Sequence, residues 1–297
     1  GAALALESLP AEGRGFFSGL LQEGYVAGNL VAAAVYGLFG WSIVHMGLHG
    51  FFASWRMLFV VGSLPALLVF YVNARVEESP AWKSSPRGQR VIVPRGDFLR
   101  QMLKYMPRLA FLTLLMFAFM SFSHGTQDLY PTFLKHDHGF APERVSWVAM
   151  IGNVGAFAGG VVCGTLSERF GRKRAIIAAA LLAILIIPLW AWSHTVLLVA
   201  LGGFLMQFMV QGAFGVIPAH LNELSPGPVR SVLPGLAYQL GAFFSSWNIV
   251  LKAGIAARFF GGRLAPVLAV TVLVIGLAVA GVTALGSEAR GADLSTA

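Results

Sequence analysis

Gly164-Thr165-Leu166-Ser167-Glu168-Arg169-Phe170-Gly171-Arg172-Lys173-Arg174 is a tight basic loop between two apolar runs, residues 145–166 and 174–193. Either run can cross a bilayer, since a span needs about 20 mostly apolar residues. Two such runs joined by so short a charged hairpin read as antiparallel neighbours, with the basic cluster anchoring the loop on one side of the membrane. Glu168 can pair with the arginines and shield the helix ends. Working outward, further windows of span length lie at 16–41, 55–74, 109–133, 195–218 and 264–285. The stretch 231–257 is a weaker, discontinuous one, interrupted by Gln239, Asn248 and Lys252. Hydrophobic residues make up 57% of the chain and charged ones 11%, against about 25% charged in soluble domains. With a mean hydropathy of +0.72, the fold class is an all-α polytopic membrane protein.

The net charge of +8 follows from basic residues retained on one side rather than from a nucleic-acid partner. With segment 75–108 placed in the cytoplasm and the spans alternating from there, the inner segments hold 15 of the 21 lysines and arginines and the outer ones 6. Three of those six, Lys252, Arg258 and Arg263, fall in one outer loop and have no place in the scheme. Segment 75–108 is rich in Pro, Gly and Ser and reads as a cytoplasmic linker, with 97–105 as a short helix along the membrane surface. The glycines of Gly155-xxx-Gly159 and Gly160-xxx-Gly164 read as helix-packing faces. Cys163 is the single cysteine, which excludes an intrachain disulfide and a cysteine metal site. It reads as a small packing residue.

The chain also contains a repeat. Glu7-xx-Pro10-xxx-Arg14-xxxx-Gly19-Leu20 recurs as Glu223-xx-Pro226-xxx-Arg230-xxxx-Gly235-Leu236, five identities at one offset of 216 residues. Many secondary transporters are built from internal repeats with the substrate site between them. The counterpart of Gly164–Arg174 at that offset would fall ahead of Gly1, and the opening apolar run reads as the second half of a severed helix. We therefore expect an N-terminally truncated chain of about eight full spans plus a partial one. Residues 1–74 would be the remainder of an N-terminal six-helix bundle, 75–108 the linker and 109–297 a C-terminal six-helix bundle.

One stretch is conspicuously polar: Ser123-His124-Gly125-Thr126-Gln127-Asp128-Leu129-Tyr130-Pro131-Thr132. It closes the span beginning near Leu109, and ionisable groups at such depth usually face a protein interior or a water-filled cavity. On a helix, Ser121, His124 and Asp128 share one face, and such a face can bind and pass a proton. Rising 1.5 Å per residue from Leu109, His124 sits about 22 Å up a ~30 Å core. Its side chain ordinarily titrates near neutrality. Asn29, Asn153, Gln207, Gln211 and Gln239 are further polar residues within spans that can line a cavity or bond helix to helix. No arginine lies mid-span, so a cation to pair with an anionic substrate is expected elsewhere. His136-Asp137-His138 resembles a metal cluster on paper, but adjacent residues cannot fill a coordination sphere; we expect a solvated loop and no metal.

The Gly164–Arg174 loop, with Gly164, Glu168, Arg169, Gly171 and Arg172, resembles the G-x-L-x-D-R-x-G-R-R signature of the major facilitator superfamily, with Ser167 and Glu168 where the signature has its variable residue and its acid. Glu77-Glu78-Ser79-Pro80-Ala81-Trp82 is similar to the E-S-P-x-W tag after the sixth helix of organic-ion and sugar porters. The repeat, with Glu7 and Arg14 and then Glu223 and Arg230, resembles the superfamily's loops between helices four and five and between ten and eleven. Ser123-His124-x-Thr126-Gln127-Asp128-xxx-Thr132 resembles the N-x-x-[ST]-H-x-[ST]-Q-D-x-x-x-T motif of lactate/pyruvate proton symporters in the sialate:proton symporter family, with Met120 where the motif has asparagine.

The resemblance implies a secondary active transporter, not an enzyme: proton-coupled symport of small monocarboxylates such as lactate or pyruvate by alternating access. Substrate and proton coupling would fall to His124, Asp128, Gln127, Ser123, Thr126, Gln239, Gln207, Gln211 and Asn153. Alternatives are the same fold carrying sialate or another organic acid, or, in another class, a membrane-embedded metal-dependent enzyme using His124 with His136 and His138. No cofactor is expected. The partners would be the organic acid, the proton and the lipid of a bacterial inner membrane, with the linker and C-terminus cytoplasmic.

Overall fold

In the low-dielectric core of a bilayer every backbone N–H and C=O must find its partner within the protein, so apolar runs of this length fold as helices. The computed structural model describes residues 12–28, 31, 35, 55–75, 95–230 and 232–292, and these are helical or form short connections. They fall into two compact units, 12–23 with 95–292, and 24–75. Glu7, Asn29 and Glu77–Trp82 lie outside the described residues, as does most of the segment before Arg95.

In the larger unit, α1 is Arg14–Gln22. The smaller unit contains α2 (Trp55–Ser63), a 3-10 turn at Leu64–Leu67 and α3 (Leu68–Arg75). Pro65 near the start of that turn lacks an N–H to give, which divides the expected span 55–74 into two pieces. The larger unit continues with α4 (Arg95–Gln127), α5 (Tyr130–His136), α6 (Pro142–Phe170) and α7 (Arg172–Ala191). Then follow α8 (Val196–Gly215), α9 (Ile217–Leu224), α10 (Leu233–Ser245), α11 (Asn248–Phe259) and α12 (Ala265–Leu285). Among the described residues six helical stretches are long and apolar enough to cross a membrane, 103–136, 143–170, 172–192, 196–224, 233–259 and 265–285. Three of them are jointed. Pro131 starts α5 and Pro218 starts α9, while α10 and α11 meet at Ser246–Trp247.

One expectation is corrected here. The stretch 97–105 is no separate surface helix; it is the beginning of α4, continuous with the span. Leu103, Tyr105 and Met106 carry the apolar run backwards, and Pro107 costs the helix only one backbone hydrogen bond.

Lipid tails are as apolar as leucine, so packing between spans depends on close van der Waals contact rather than on escape from water. The glycines of α6 supply it on two faces. Gly155 and Gly159 lie directly on the backbone of Phe204 and Phe208 in α8, while Gly160 and Gly164 lie on the backbone of Gly19 and Gly15 in α1. A Cβ on any of these α6 glycines would collide with its neighbour. α7 packs on α8 and α12, and α4 packs on α10 and α12. Between them sits an apolar core in which Tyr130 stacks on Trp190, ring centroids 5.0 Å apart, and Phe119 meets Phe214 edge-on. Leu185, Leu197 and Phe243 are exposed on the outside, the surface a lipid-facing bundle presents.

A carboxylate from the C-terminal end of the chain fixes the start of α7. Only Gly171 separates α6 from α7, and its φ of 94° is a conformation glycine adopts without strain. Glu288 accepts from the first two N–H groups of α7, at Arg172 (3.2 Å) and Lys173 (3.0 Å). Carboxylates are stabilised at that end of a helix by the unpaired N–H groups and the macrodipole.

Candidate functional site

The polar residues of α4 sort into two groups. Ser123, Thr126 and Gln127 turn to α8, where Gln211 Nε2 donates to Ser123 Oγ (2.9 Å), Gln207 Nε2 to Thr126 Oγ1 (3.2 Å), and Gln127 Nε2 to Gln207 Oε1 (3.0 Å). Gln207 and Gln211 are one helical turn apart, so both meet α4 together. Apart from Gln127, which is half-buried, these side chains are buried. They form a hydrogen-bonded seam that fixes α4 against α8.

His124 and Asp128 are different. His124 Nδ1 lies 3.1 Å from Asp128 Oδ1, and the two side chains keep 40% and 20% of their surface accessible. The pair sits on the helix that the seam fixes against α8. Ser121, expected on the same face, is buried with its hydroxyl unpartnered.

The structure adds a residue that sequence reading assigned to an outer loop. Lys252, on α11, is only 4% exposed. Its Nζ donates to the carbonyl of His124 (2.8 Å) and lies 3.4 Å from that of Gly125. Asp128 is close enough to act on it electrostatically. The ammonium therefore belongs to the His124–Asp128 cluster. Its interruption of the apolar stretch 231–257 was the available signal, and counting it among loop charges concealed it.

Gln239 is exposed on α10 and Asn153 half-buried on α6, both outside this network. The expected solvated loop at 136–138 is corrected in part. Asp137 Oδ2 accepts from the N–H groups of Leu264 (2.8 Å) and Ala265 (2.9 Å) and so caps α12, while His136 approaches Asp137 Oδ1 at 3.2 Å. His138 packs between Phe133 and Phe140; burial lowers its pKa, with Asp137 opposing and His194 assisting. Among the described residues no three His, Cys, Asp or Glu side chains gather as a metal site. An apolar groove of about 570 Å³ between α4 and α10 includes Thr113 and Phe117 but none of the polar cluster.

The opposite ends of the spans carry the charged loop. Arg172 Nε and Nη2 both donate to Glu223, each at 3.0 Å, and Nη1 donates to Ser167 Oγ (2.6 Å), all buried. Glu168 does not pair with the arginines, as the sequence suggested. Its Oε1 accepts from the backbone N–H groups of Gly15 (2.7 Å) and Phe16 (3.2 Å) at the start of α1. The first N–H groups of a helix have no intrahelical acceptor, which makes them the better partner. Arg14 donates to the Ala292 carbonyl (2.8 Å) and Arg230 to the Ser225 carbonyl (3.2 Å). The carbonyls of Glu168 and Arg169 accept from Arg290. Thus Gly164, Glu168, Arg169, Gly171, Arg172 and Glu223 build one fastening.

Known proteins agree with this architecture. The family described as sugar (and other) transporter matches residues 3–89 and 110–277. A carboxylic acid transporter protein homolog of Saccharomyces cerevisiae is 28% identical over 279 residues, covering 86% of this chain and 44% of its own length. A probable 4-methylmuconolactone transporter of Cupriavidus pinatubonensis is 28% identical, covering 84% of this chain and 56% of its own length. The sialic acid transporter NanX of Escherichia coli is 26% identical, covering 80% and 56%. The chain thus spans about half the length of these relatives. Among solved structures, the major facilitator superfamily proton:xylose symporter XylE bound to 6-bromo-6-deoxy-D-glucose superposes with a TM-score of 0.72 at 20% identity, over 99% of this chain and 68% of the other. With a family match across most of the sequence and that superposition, the chain belongs to the sugar (and other) transporter family and has the fold of the major facilitator superfamily.

Proposed function

We propose that the protein carries out proton-coupled symport of small monocarboxylates, with lactate and pyruvate as the substrates. The observation that carries this reading is the His124–Asp128–Lys252 cluster: an accessible imidazole–carboxylate pair beside a buried ammonium, inside apolar helices. When His124 is protonated, its ring pairs with Asp128 and offsets that carboxylate's charge. Lys252 has three N–H groups and spends up to two on the carbonyls of His124 and Gly125, leaving one for an anion. A small carboxylate then meets a site with net positive charge, and the proton and the anion enter together. The Ser123–Gln211 and Gln127–Gln207–Thr126 seam positions the pair.

Alternating access would work between residues 1–74 and 109–297, joined by 75–108. Glu168 binds the first N–H groups of α1 and so ties the first bundle to the second at the Gly171 end. Opening there requires its release. Placing that end in the cytoplasm agrees with the basic residues: with Lys252 inside a span, five of the 21 remain on the other side. A bacterial inner membrane is the setting we propose.

The relatives' names include carboxylic acid, muconate and sialic acid carriers, which supports an organic-acid substrate. NanX favours a second reading, in which the same cluster serves sialate or another larger acid. Uptake of labelled lactate by cells expressing the protein from its native reading frame decides between them. We expect uptake driven by an inward proton gradient, competed by pyruvate and not by xylose. Competition by sialate alone selects the second reading, and uptake indifferent to the proton gradient removes both.

A further inference from the structure

The contact between α1 and α6 contains another titratable group, which the mechanism above does not use. Glu23 follows the last residue of α1, and its backbone N–H still bonds to the Gly19 carbonyl at 3.0 Å. Its side chain is 2% exposed. It lies so close on Gly160 of α6 that a Cβ there would collide with Glu23 Oε1, and Gly215 of α8 presses on the same Gly160 backbone. Both carboxyl oxygens are shut off from solvent, with no hydrogen-bond partner among the described residues.

This sets Glu23 apart from the other acids nearby, because Glu168, Glu223 and Glu288 are each bonded to N–H donors. The elements packed on α1 offer few other charges. α6 carries Glu143, Arg144, Cys163, Glu168 and Arg169; α9 carries His220 and Glu223; α8 carries none; and α1 itself carries Arg14. None of them donates a hydrogen bond to Glu23. An ionised carboxylate without water or a donor is among the most costly groups to bury, whereas the neutral acid is tolerated. The closed α1–α6 contact therefore suits the protonated acid, and ionisation suits a conformation in which water reaches the seat over Gly160.

We propose that Glu23 is a proton-binding site whose occupancy closes α1 on α6. With the crevice open, the carboxylate takes one proton from water and forms its O–H bond. It keeps that proton while the crevice is shut and returns it to water on reopening. The closed form then binds one more proton than the open form, so acid favours closure. The inference rests on the functional reading only in that α1 and α6 part during the cycle.

The test needs no substrate, so its outcome is independent of whether lactate is carried. Spin labels at the exposed positions Leu20 and Leu166, introduced as Leu20→Cys and Leu166→Cys with Cys163→Ala in the full chain in nanodiscs, report the α1–α6 distance by electron–electron resonance. The parent should show a dominant short distance at pH 5.5 that becomes the minor component at pH 8. Glu23→Gln should hold the short distance at both values, and Glu23→Asp should follow pH like the parent. A parent that ignores pH overturns the proposal. So does a Glu23→Gln variant that still follows pH, or that stays open at both values.

Discussion

The two ends of the same six spans treat charge in opposite ways. At the Gly171 end the carboxylates are each bonded twice or more: Glu223 takes two bonds from Arg172, Glu168 takes two N–H groups of α1, and Glu288 takes two of α7. At the His124 end the groups are held loosely. His124 and Asp128 share a single contact and stay accessible, and Lys252 rests on carbonyls without a carboxylate bonded to it. Saturated charge fixes one geometry, most firmly at Arg172–Glu223, where releasing one partner leaves the other buried and alone. Incompletely satisfied charge is what a site needs if a proton and an anion are to come and go. One end is a fastening; the other is the end at which we propose the proton and the anion bind.

Several substitutions break or sharpen that contrast. The largest effect belongs to the fastening. Arg172→Ala leaves Glu223 buried without its partner and should cost about 3–5 kcal/mol, read as a large drop in unfolding temperature in detergent. Replacing both residues by methionine should recover most of the loss; a stable Arg172→Ala protein would show that the pair does not hold the loop. Next comes the open end. Lys252→Met should raise KM for carboxylate substrates about ten- to a hundredfold, since a hydrogen bond to a charged group is worth ~1.5–3 kcal/mol. An unchanged KM would return Lys252 to a packing role. Smaller is the cap on α12: Asp137→Ala should cost about 1 kcal/mol, seen as a modest shift in unfolding temperature with transport intact. The smallest concerns His138, whose pKa burial lowers. The folded protein then binds fewer protons there than the unfolded chain, so stability falls as pH drops through and below the ordinary histidine value of 6.5. His138→Phe should flatten that acid limb of the unfolding curve.

What could be read in the sequence depends on how local its cause is. Six of the expected spans, the glycine faces of α6 and the basic loop are local consequences of composition, and among the described residues they stand as expected. The stretch 55–74 is too short and broken to count, and most of 29–41, the latter half of the expected span 16–41, lies outside the described residues. The His124–Asp128 contact follows from a four-residue spacing on one helix. The partners of Gln207 and Gln211 did not, because helical spacing says which residues share a face and not which helix that face meets. Asp137 is a cap only because Leu264 and Ala265 arrive beside it from far along the chain. Glu168 next to three arginines suggested an ion pair, and the start of α1 competed better for its oxygen. Lys252 was misplaced because a charge near the end of an apolar stretch reads as loop, while the long aliphatic stem of a lysine lets its amine reach carbonyls inside the bundle.

Proton coupling, as proposed, depends on the His124–Asp128 pair. The direct measurement compares two assays on His124→Ala and Asp128→Asn proteins from the native reading frame in proteoliposomes: exchange of labelled lactate against internal lactate, and accumulation of lactate driven by a proton gradient. If the pair carries the proton, exchange persists while gradient-driven accumulation is lost in both variants. Accumulation at the unsubstituted level in either variant would contradict it.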